Sequence, residues 1–278
     1  MQLSSKQREF FNVNGYLIID NYFNKKELDD FKESFRHLIQ ISLKKIAKFH
    51  PEVKPDDFID KEFGNGIMKL EEIDHAFVAN IYDTIYQVPE FLRIVAKPET
   101  TQCINQLLNR RDDNPLYTFT CRCRIDPPDD ERRTTKWHQE VFYSIPKSEF
   151  LQTWAPLISD ATLENGSIEF CVGSHKDGIA QASFLNVKGS ANPFSVDDDL
   201  VQKYEKKQIT MKLGQFMIFN SKLIHRSGKN RSNNVRYSLV GMYHTTDNEN
   251  FMPPLLNFEF KNISPKQYFD EIFSSVPR

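Results

Sequence analysis

The chain has 278 residues, enough for about two ordinary domains or one large β-rich one. Hydrophobic residues at 39% and charged residues at 27% supply a sizeable core and exclude wholesale disorder. With 36 Lys and Arg against 38 Asp and Glu, the net charge of −2 lacks the basic excess of a dedicated nucleic-acid binder.

In chain order, Gly15 to Asp20 reads as a short buried strand. Asn24 with Glu27 three residues on makes a capping box, and Leu28, Phe31, Phe35, Leu38, Ile39 and Ile46 recur at helical spacing, predicting an amphipathic helix over about 25–47. His50 to Glu62 is a polar loop with two prolines; Met68 to Val88 is a second helical stretch; residues 90–109 hold one or two shorter helices broken at Pro98. The character changes near residue 115. From Leu116, Phe119, Cys121, Cys123 and Ile125 alternate with Thr118, Thr120, Arg122 and Arg124, a strand with one apolar and one cationic face. Asp126 to Thr135 is a charged loop, a reasonable lid. Further strands are expected over 136–143, 151–157, 167–172, 208–212, 216–220 and 234–244, with turns at Asn165-Gly166 and at Gly173 to Gly178. Many short strands with turn signals point to a mainly β jelly roll whose preceding helices pack outside a sheet. No linker separates the halves, so residues 1–278 are read as one domain: a mostly helical flank over 1–115, a jelly-roll core over 116–245 and an extension over 246–278.

The chemistry starts at Trp137-His138-Gln139-Glu140. On a strand, residues i and i+2 share a face, so His138 and Glu140 can offer a nitrogen and an oxygen to one metal. Two ligands hold a divalent metal poorly, and a third must come from His37, His50, His75, His175, His225 or His244. His225 follows the predicted strand Phe216 to Asn220, which a barrel can bring beside His138; two imidazoles and one carboxylate then form the facial triad of non-haem Fe(II) oxygenases. Arg236 lies eleven residues beyond His225 on the next strand. A 2-oxoglutarate cosubstrate chelates iron through its keto acid and leaves a distal carboxylate, which wants the planar, permanently charged fork of an arginine; Ser238 shares that face and can add a hydroxyl.

Four blocks in order, Trp137-His-Gln-Glu140, Asn165-Gly166-Ser-Ile, Gly173-Ser-His-Lys176 and His225-Arg-Ser-Gly-x-Asn-x-Ser232 followed by Arg236, resemble the phytanoyl-CoA dioxygenase family. The resemblance spans about 116–245, and the opening from Gly15 to Phe35 also fits the family's start. It implies a double-stranded β-helix that uses Fe(II), 2-oxoglutarate and O2, with His138, Glu140 and His225 on iron and Arg236 on 2-oxoglutarate. It further implies that Ser227 touches the cosubstrate and that Trp154 lines its pocket. One departure is Glu140, where the family usually has Asp. The implied reaction oxidises a small molecule, most readily by hydroxylation, with release of succinate and CO2; because Glu140 keeps a carboxylate at the metal, desaturation or epimerisation are the related outcomes, and halogenation is not. The competing readings are a jelly-roll metalloenzyme without redox chemistry, against which Arg236 at its spacing argues, and a non-catalytic metal- or sugar-binding barrel, against which the retained set His138, Glu140, His225 and Arg236 argues.

For the substrate, Arg122 and Arg124 face away from the cysteines and are candidate holders of an anion, and Gln139 is a further candidate contact. Phytanoyl-CoA itself is not indicated, as the chain closes Val276-Pro-Arg278 without a peroxisomal tripeptide. Met1 to Asn14 has no apolar leader core, no run is long enough to span a membrane, and four cysteines make no disulfide scaffold. A cytoplasmic enzyme with reduced thiols is expected, acting on a small molecule without nucleic-acid or membrane partners; the oligomeric state is left open.

Overall fold

The computed structural model describes residues 1–143, 148–184, 194–247 and 251. The chain opens with α1 (Ser5–Asn14) and β1 (Tyr16–Ile19), followed by five helices: α2 (Lys25–Ile46), α3 (Gly64–Ile73), α4 (His75–Ile85), α5 (Pro89–Val95) and α6 (Pro98–Leu107). Then come β2 (Leu116–Asp126), β3 (Phe150–Pro156), β4 (Ile168–Cys171), β5 (Ala182–Phe184), β6 (Phe194–Val196), a short α7 (Asp198–Val201), β7 (Lys206–Gln208), β8 (Phe216–Asn220), β9 (His225–Ser227) and β10 (Arg236–Thr245). A five-stranded sheet runs β1-β8-β3-β10-β2 with every pairing antiparallel, and a smaller antiparallel sheet runs β7-β4-β9. β5 and β6 pair separately.

The large sheet is covered on both faces, and the alternation of its strands decides what goes where. On β8, Phe216 and Ile218 join the helical core while Met217 and Phe219 pack against the small sheet. On β3, Leu151 and Ala155 face the helices and Trp154 faces inward. The seven residues of β3 are accordingly all buried. The helical side is filled by Leu28, Phe31, Phe35, Ile39 and Leu43 of α2 together with Cys123, Ile125, Tyr237 and Leu239 of the sheet. Each fully buried Phe or Leu there stabilises the fold by roughly 1.5–3 kcal/mol. The inner side holds Tyr16, Ile168, Phe170, Met211 and Leu223, and its polar end is the cavity described below. This is the jelly-roll arrangement with flanking helices that the strand pattern implies.

Where prediction and structure differ, local hydrogen bonding explains it. α1 was not anticipated in a polar segment; Ser4 caps it in a reciprocal box with Gln7. The stretch 68–88 is two helices, because the Asp74 side chain accepts the Ala76 N–H and starts α4 afresh. Residues 136–143 are not a strand. Only His138 pairs, in an isolated bridge with His225, and Glu140–Tyr143 is a 3₁₀ turn. The 208–212 segment is β7 ending at Gln208, with Met211 bridging to Ala161. Of the alternation on β2, the side chains of Phe119 and Thr120 lie outside the described residues, as do residues 252–278 of the expected extension.

The Asn165-Gly166 turn presses on the β9–β10 connection. Gly166 has φ of +75°, and a β-carbon there would lie 2.5 Å from the Gly228 carbonyl oxygen and from Lys229 backbone atoms. Gly173 has a similar φ of +77°, but an added carbon meets nothing closer than 3.5 Å. Gly166→Ala is therefore expected to cost about 2–5 kcal/mol, combining left-handed strain with overpacking, and Gly173→Ala only about 1–2 kcal/mol. Urea unfolding of the two variants measures the difference; equal losses would show that the Gly166–Gly228 contact yields freely.

Candidate metal centre

The centre is assembled by backbone pairing. The His138 N–H donates to the His225 carbonyl and the His225 N–H to the His138 carbonyl, both at 2.9 Å. This reciprocal bridge ties the segment after the charged loop to β9, and it brings the two imidazole rings to 4.2 Å between centroids. One residue further, the chain turns. The Glu140 N–H donates to the Ser221 carbonyl at 3.1 Å, and the turn sets the carboxylate between the two rings. Glu140 Oε2 lies 3.6 Å from His138 Nε2 and 3.6 Å from His225 Nε2. The expected i, i+2 strand geometry is thus replaced by a bridge and a turn, with the same convergence.

The imidazoles have defined tautomers. His138 Nδ1 lies 2.7 Å from the Lys136 carbonyl and His225 Nδ1 lies 2.9 Å from the Leu223 carbonyl. A carbonyl only accepts, so each Nδ1 carries the proton and each Nε2 presents a lone pair. The Phe219 ring stands edge-on to His225 at 5.0 Å and closes one side. Burial pushes the His225 pKa down and favours the neutral ring. Burial alone would raise the Glu140 carboxyl, but the adjacent His138 and His225 imidazoles outweigh it and hold Glu140 below the usual carboxylate range. Among the described residues these three are the cluster of His, Cys, Asp or Glu able to hold a metal, their ligand atoms all within 4.8 Å of one another. Two neutral nitrogens and one anionic oxygen, all presented from one side, fit a non-haem iron and leave the other side open.

The remaining histidines stand elsewhere. His50 pairs with Glu52 and His75 with Glu71 at the surface, and His37 is exposed on α2. His175 Nε2 lies 3.2 Å from the Asn12 carbonyl. His244 is fully buried, stacked on Phe150 at 4.4 Å with Nδ1 3.0 Å from Ser148 Oγ.

A cavity of about 420 Å³ opens from the three ligands and is lined by Arg122, Arg124, Trp154, Ser227, Val240 and Met242 among others. Arg236 is not in its lining, although it lies on the same strand as Val240 and Met242. Its Nη2 donates to Asp126 Oδ2 at 2.8 Å and its Nη1 to the Asn165 carbonyl at 3.1 Å, while its Nε has no partner among the described residues. Asp126 also accepts from Arg124 Nη2 at 2.9 Å. Burial opposes the charge on Asp126, yet the two guanidiniums win and hold its pKa at about 2. Asp126 escaped the sequence reading, where it stood only as the start of a loop; its place two residues after Arg124 on β2 was the available signal. Ser238 Oγ, Ser167 Oγ and Gln152 Oε1 are likewise buried without a partner. Gln139 is a correction. It is fully buried, its amide nitrogen donates to the Gly178 and Lys222 carbonyls, and its oxygen accepts the Ala180 N–H. Its polar atoms hold three backbone segments together and do not face the cavity.

The Phytanoyl-CoA dioxygenase (PhyH) family model matches residues 11–238. A probable phytanoyl-CoA dioxygenase of Caenorhabditis elegans is 24% identical over 250 residues, 88% of this chain and 76% of that one. Among solved structures, EvdO2 of Micromonospora carbonacea complexed with 2-oxoglutarate aligns with TM-score 0.59 at 14% identity, covering 91% of this chain and 95% of that one. EctD of S. alaskensis with bound Fe gives TM-score 0.59 at 17% identity, over 90% and 80%. The structural likenesses establish the fold, and the family match over most of the chain establishes the rest: this chain belongs to the phytanoyl-CoA dioxygenase family and is a 2-oxoglutarate-dependent non-haem iron dioxygenase.

His244 gives the fold a measurable pH dependence. Burial pushes its pKa from 6.5 down to about 3. Between those values the unfolded chain binds a proton that the folded chain does not. Its contribution is therefore fully present above pH 6.5 and declines toward pH 3 by about 1.4 kcal/mol per pH unit. Replacing His244 by Gln should flatten the plot of unfolding free energy against pH in that window, and an unchanged slope would mean that His244 takes up its proton in the folded state.

Proposed function

We propose that the protein hydroxylates an unactivated C–H bond of a small molecule, with His138, Glu140 and His225 holding iron and Arg236 holding the distal carboxylate of 2-oxoglutarate. The observation that carries this reading is the convergence of two carbonyl-anchored imidazoles and one carboxylate at the floor of a cavity. When bound, iron with 2-oxoglutarate and O2 supplies the oxidising chemistry, and decarboxylation to succinate provides two of the four electrons O2 requires.

The chain's own residues bind, orient and exclude water. The Lys136 and Leu223 carbonyls fix both ligand rings so that metal binding needs no tautomer change. Arg124 and Arg236 share the single carboxylate of Asp126, so one positive charge of that buried group stays unbalanced. One ligand carboxylate balances it, and the unpartnered Arg236 Nε and Ser238 Oγ are donors for such a group. Ser227, whose N–H donates to Thr135 Oγ1, and Trp154 line the same cavity and are assigned to the cosubstrate. Arg122 and Arg124 are assigned to the substrate side of the cavity. Glu140 would hold the metal through a carboxylate at the place a halide would need, which supports oxygen insertion or a related oxidation. The free cysteines Cys103, Cys121, Cys123 and Cys171 support a reducing compartment such as the cytoplasm, and no described helix is long and apolar enough to cross a membrane.

Anaerobic loading with Fe(II) followed by 2-oxoglutarate and O2 should yield succinate and CO2 in equal amounts. His225→Ala is expected to lose Fe(II) binding at micromolar metal while its melting temperature stays close to wild type; full metal affinity in that variant would dismiss the triad. Arg236→Ala should weaken 2-oxoglutarate binding by about 2–5 kcal/mol, roughly 30-fold or more, and leave metal binding within a few-fold. Unchanged affinity for 2-oxoglutarate would move the anchor to Arg124, which lines the cavity directly.

A further inference from the structure

Three arginines, Arg122, Arg124 and Arg133, line the cavity and Arg236 lies outside its lining; they differ in one respect. Arg124 and Arg236 are neutralised in part by Asp126. Arg122 and Arg133 have no carboxylate within ion-pair distance among the described residues, although both line the cavity that opens from His138, Glu140 and His225. They come from different elements, Arg122 from β2 and Arg133 from the loop that precedes the metal-binding segment. A tyrosine brings them together. The Arg122 guanidinium lies 5.8 Å from the Tyr82 ring centroid and 5.2 Å from that of Tyr86, and the Arg133 guanidinium lies 5.4 Å from Tyr82. Tyr82 sits on α4 and Tyr86 is its C-cap, so a helix outside the barrel supplies the faces on which both cations rest.

Contact with a ring holds a guanidinium in place without neutralising it, because the quadrupole is much weaker than a charge. Two half-buried guanidiniums on one phenol ring repel each other, and among the described residues no carboxylate lies within ion-pair distance of either. The loop is nevertheless pinned in this position, since Arg124 Nη2 donates to the Arg133 carbonyl at 2.7 Å. Neither arginine is spare surface charge. Both face the space above the ligand cluster, where their forks can take the oxygens of one bound anion.

Resting on the reading above, we propose that Arg122 and Arg133, positioned by Tyr82 and Tyr86, form the recognition site for an oxyanion group of the substrate. The substrate class is a small molecule bearing a carboxylate, sulfate or phosphate at one end, with the carbon to be oxidised at the other. This site is separate from Arg236, which is assigned to the cosubstrate.

Inorganic sulfate is the probe. Calorimetric titration of protein loaded with Mn(II) and 2-oxoglutarate, in low-salt buffer, should show one sulfate bound in the millimolar range or tighter. In the double variant Arg122→Gln with Arg133→Gln, sulfate affinity should fall about tenfold or more through the loss of charge-assisted hydrogen bonds, while 2-oxoglutarate affinity stays within about threefold. Arg122→Lys with Arg133→Lys keeps both charges, should retain most of the binding, and serves as the folded control if the Gln variant unfolds. Absence of sulfate binding by wild type at tens of millimolar, unchanged affinity in the Gln variant, or competition between sulfate and 2-oxoglutarate would each overturn the proposal, the last because the arginines would then serve the cosubstrate. The same titration on metal-free protein separates this inference from the proposed reaction. Sulfate binding there depends on neither iron nor turnover, so it survives even if the assigned triad fails to hold a metal.

Discussion

The pair of backbone hydrogen bonds between His138 and His225 is the constraint on which the centre depends. Neither histidine is placed by a long strand. β9 is three residues long, and the segment at His138 contributes a single bridge. What fixes the two rings is that each residue satisfies the other's N–H and carbonyl, while each ring is tethered by its own Nδ1 to a carbonyl two residues earlier. The backbone polar atoms and the Nδ1 of each ring are thereby satisfied, and both Nε2 atoms lie 3.6 Å from the Glu140 carboxylate. A preformed site of this kind requires little rearrangement to accept a cation, which is the purpose of fixing ligand orientation from outside the coordination sphere.

Charge is arranged by the same logic of partial satisfaction. A lone buried arginine is costly, and a matched buried pair has little reason to accept a ligand. Asp126 between Arg124 and Arg236 lies between these limits: one carboxylate is shared by two guanidiniums, and one positive charge of the group stays unbalanced. Asn230 reinforces the group by donating from its amide to the Asp126 and Asn234 carbonyls, tying the end of β2 to the connection that leads into β10. The turn at Gly166 completes the enclosure, because the Asn165 carbonyl accepts from Arg236 and the absent side chain at 166 lets that turn approach the β9–β10 connection.

Much of this was legible in the sequence. The capping box at Asn24 and the helical period behind it gave α2 to within one residue, and alternation gave β2, with Cys123 in the helical core and Arg124 on the cavity side. His138, Glu140 and His225 were legible as ligand types, but the route by which they meet was not, since the bridge and the 3₁₀ turn depend on carbonyls from Ser221 and His225 that are distant in sequence. Gln139 was misread for the same reason. A polar residue between two ligands looks like a substrate contact until its three long-range backbone partners are known. Arg133 and Tyr82 carried no signal in the sequence, because their meaning lies in their meeting across elements about fifty residues apart.

The two groups also sit on different parts of the fold. The ligand cluster and the Asp126 group belong to the β strands and their tightest connections, where a shift of one residue would turn side chains to the other face. The Tyr82, Tyr86 and Arg133 group belongs to α4 and to a loop, elements that contribute no strand to either sheet. Changes there alter the mouth of the cavity without moving its floor. Selectivity in this protein is therefore expected to reside on the helical flank and the loop over 126–135, and the barrel strands to set only the reaction.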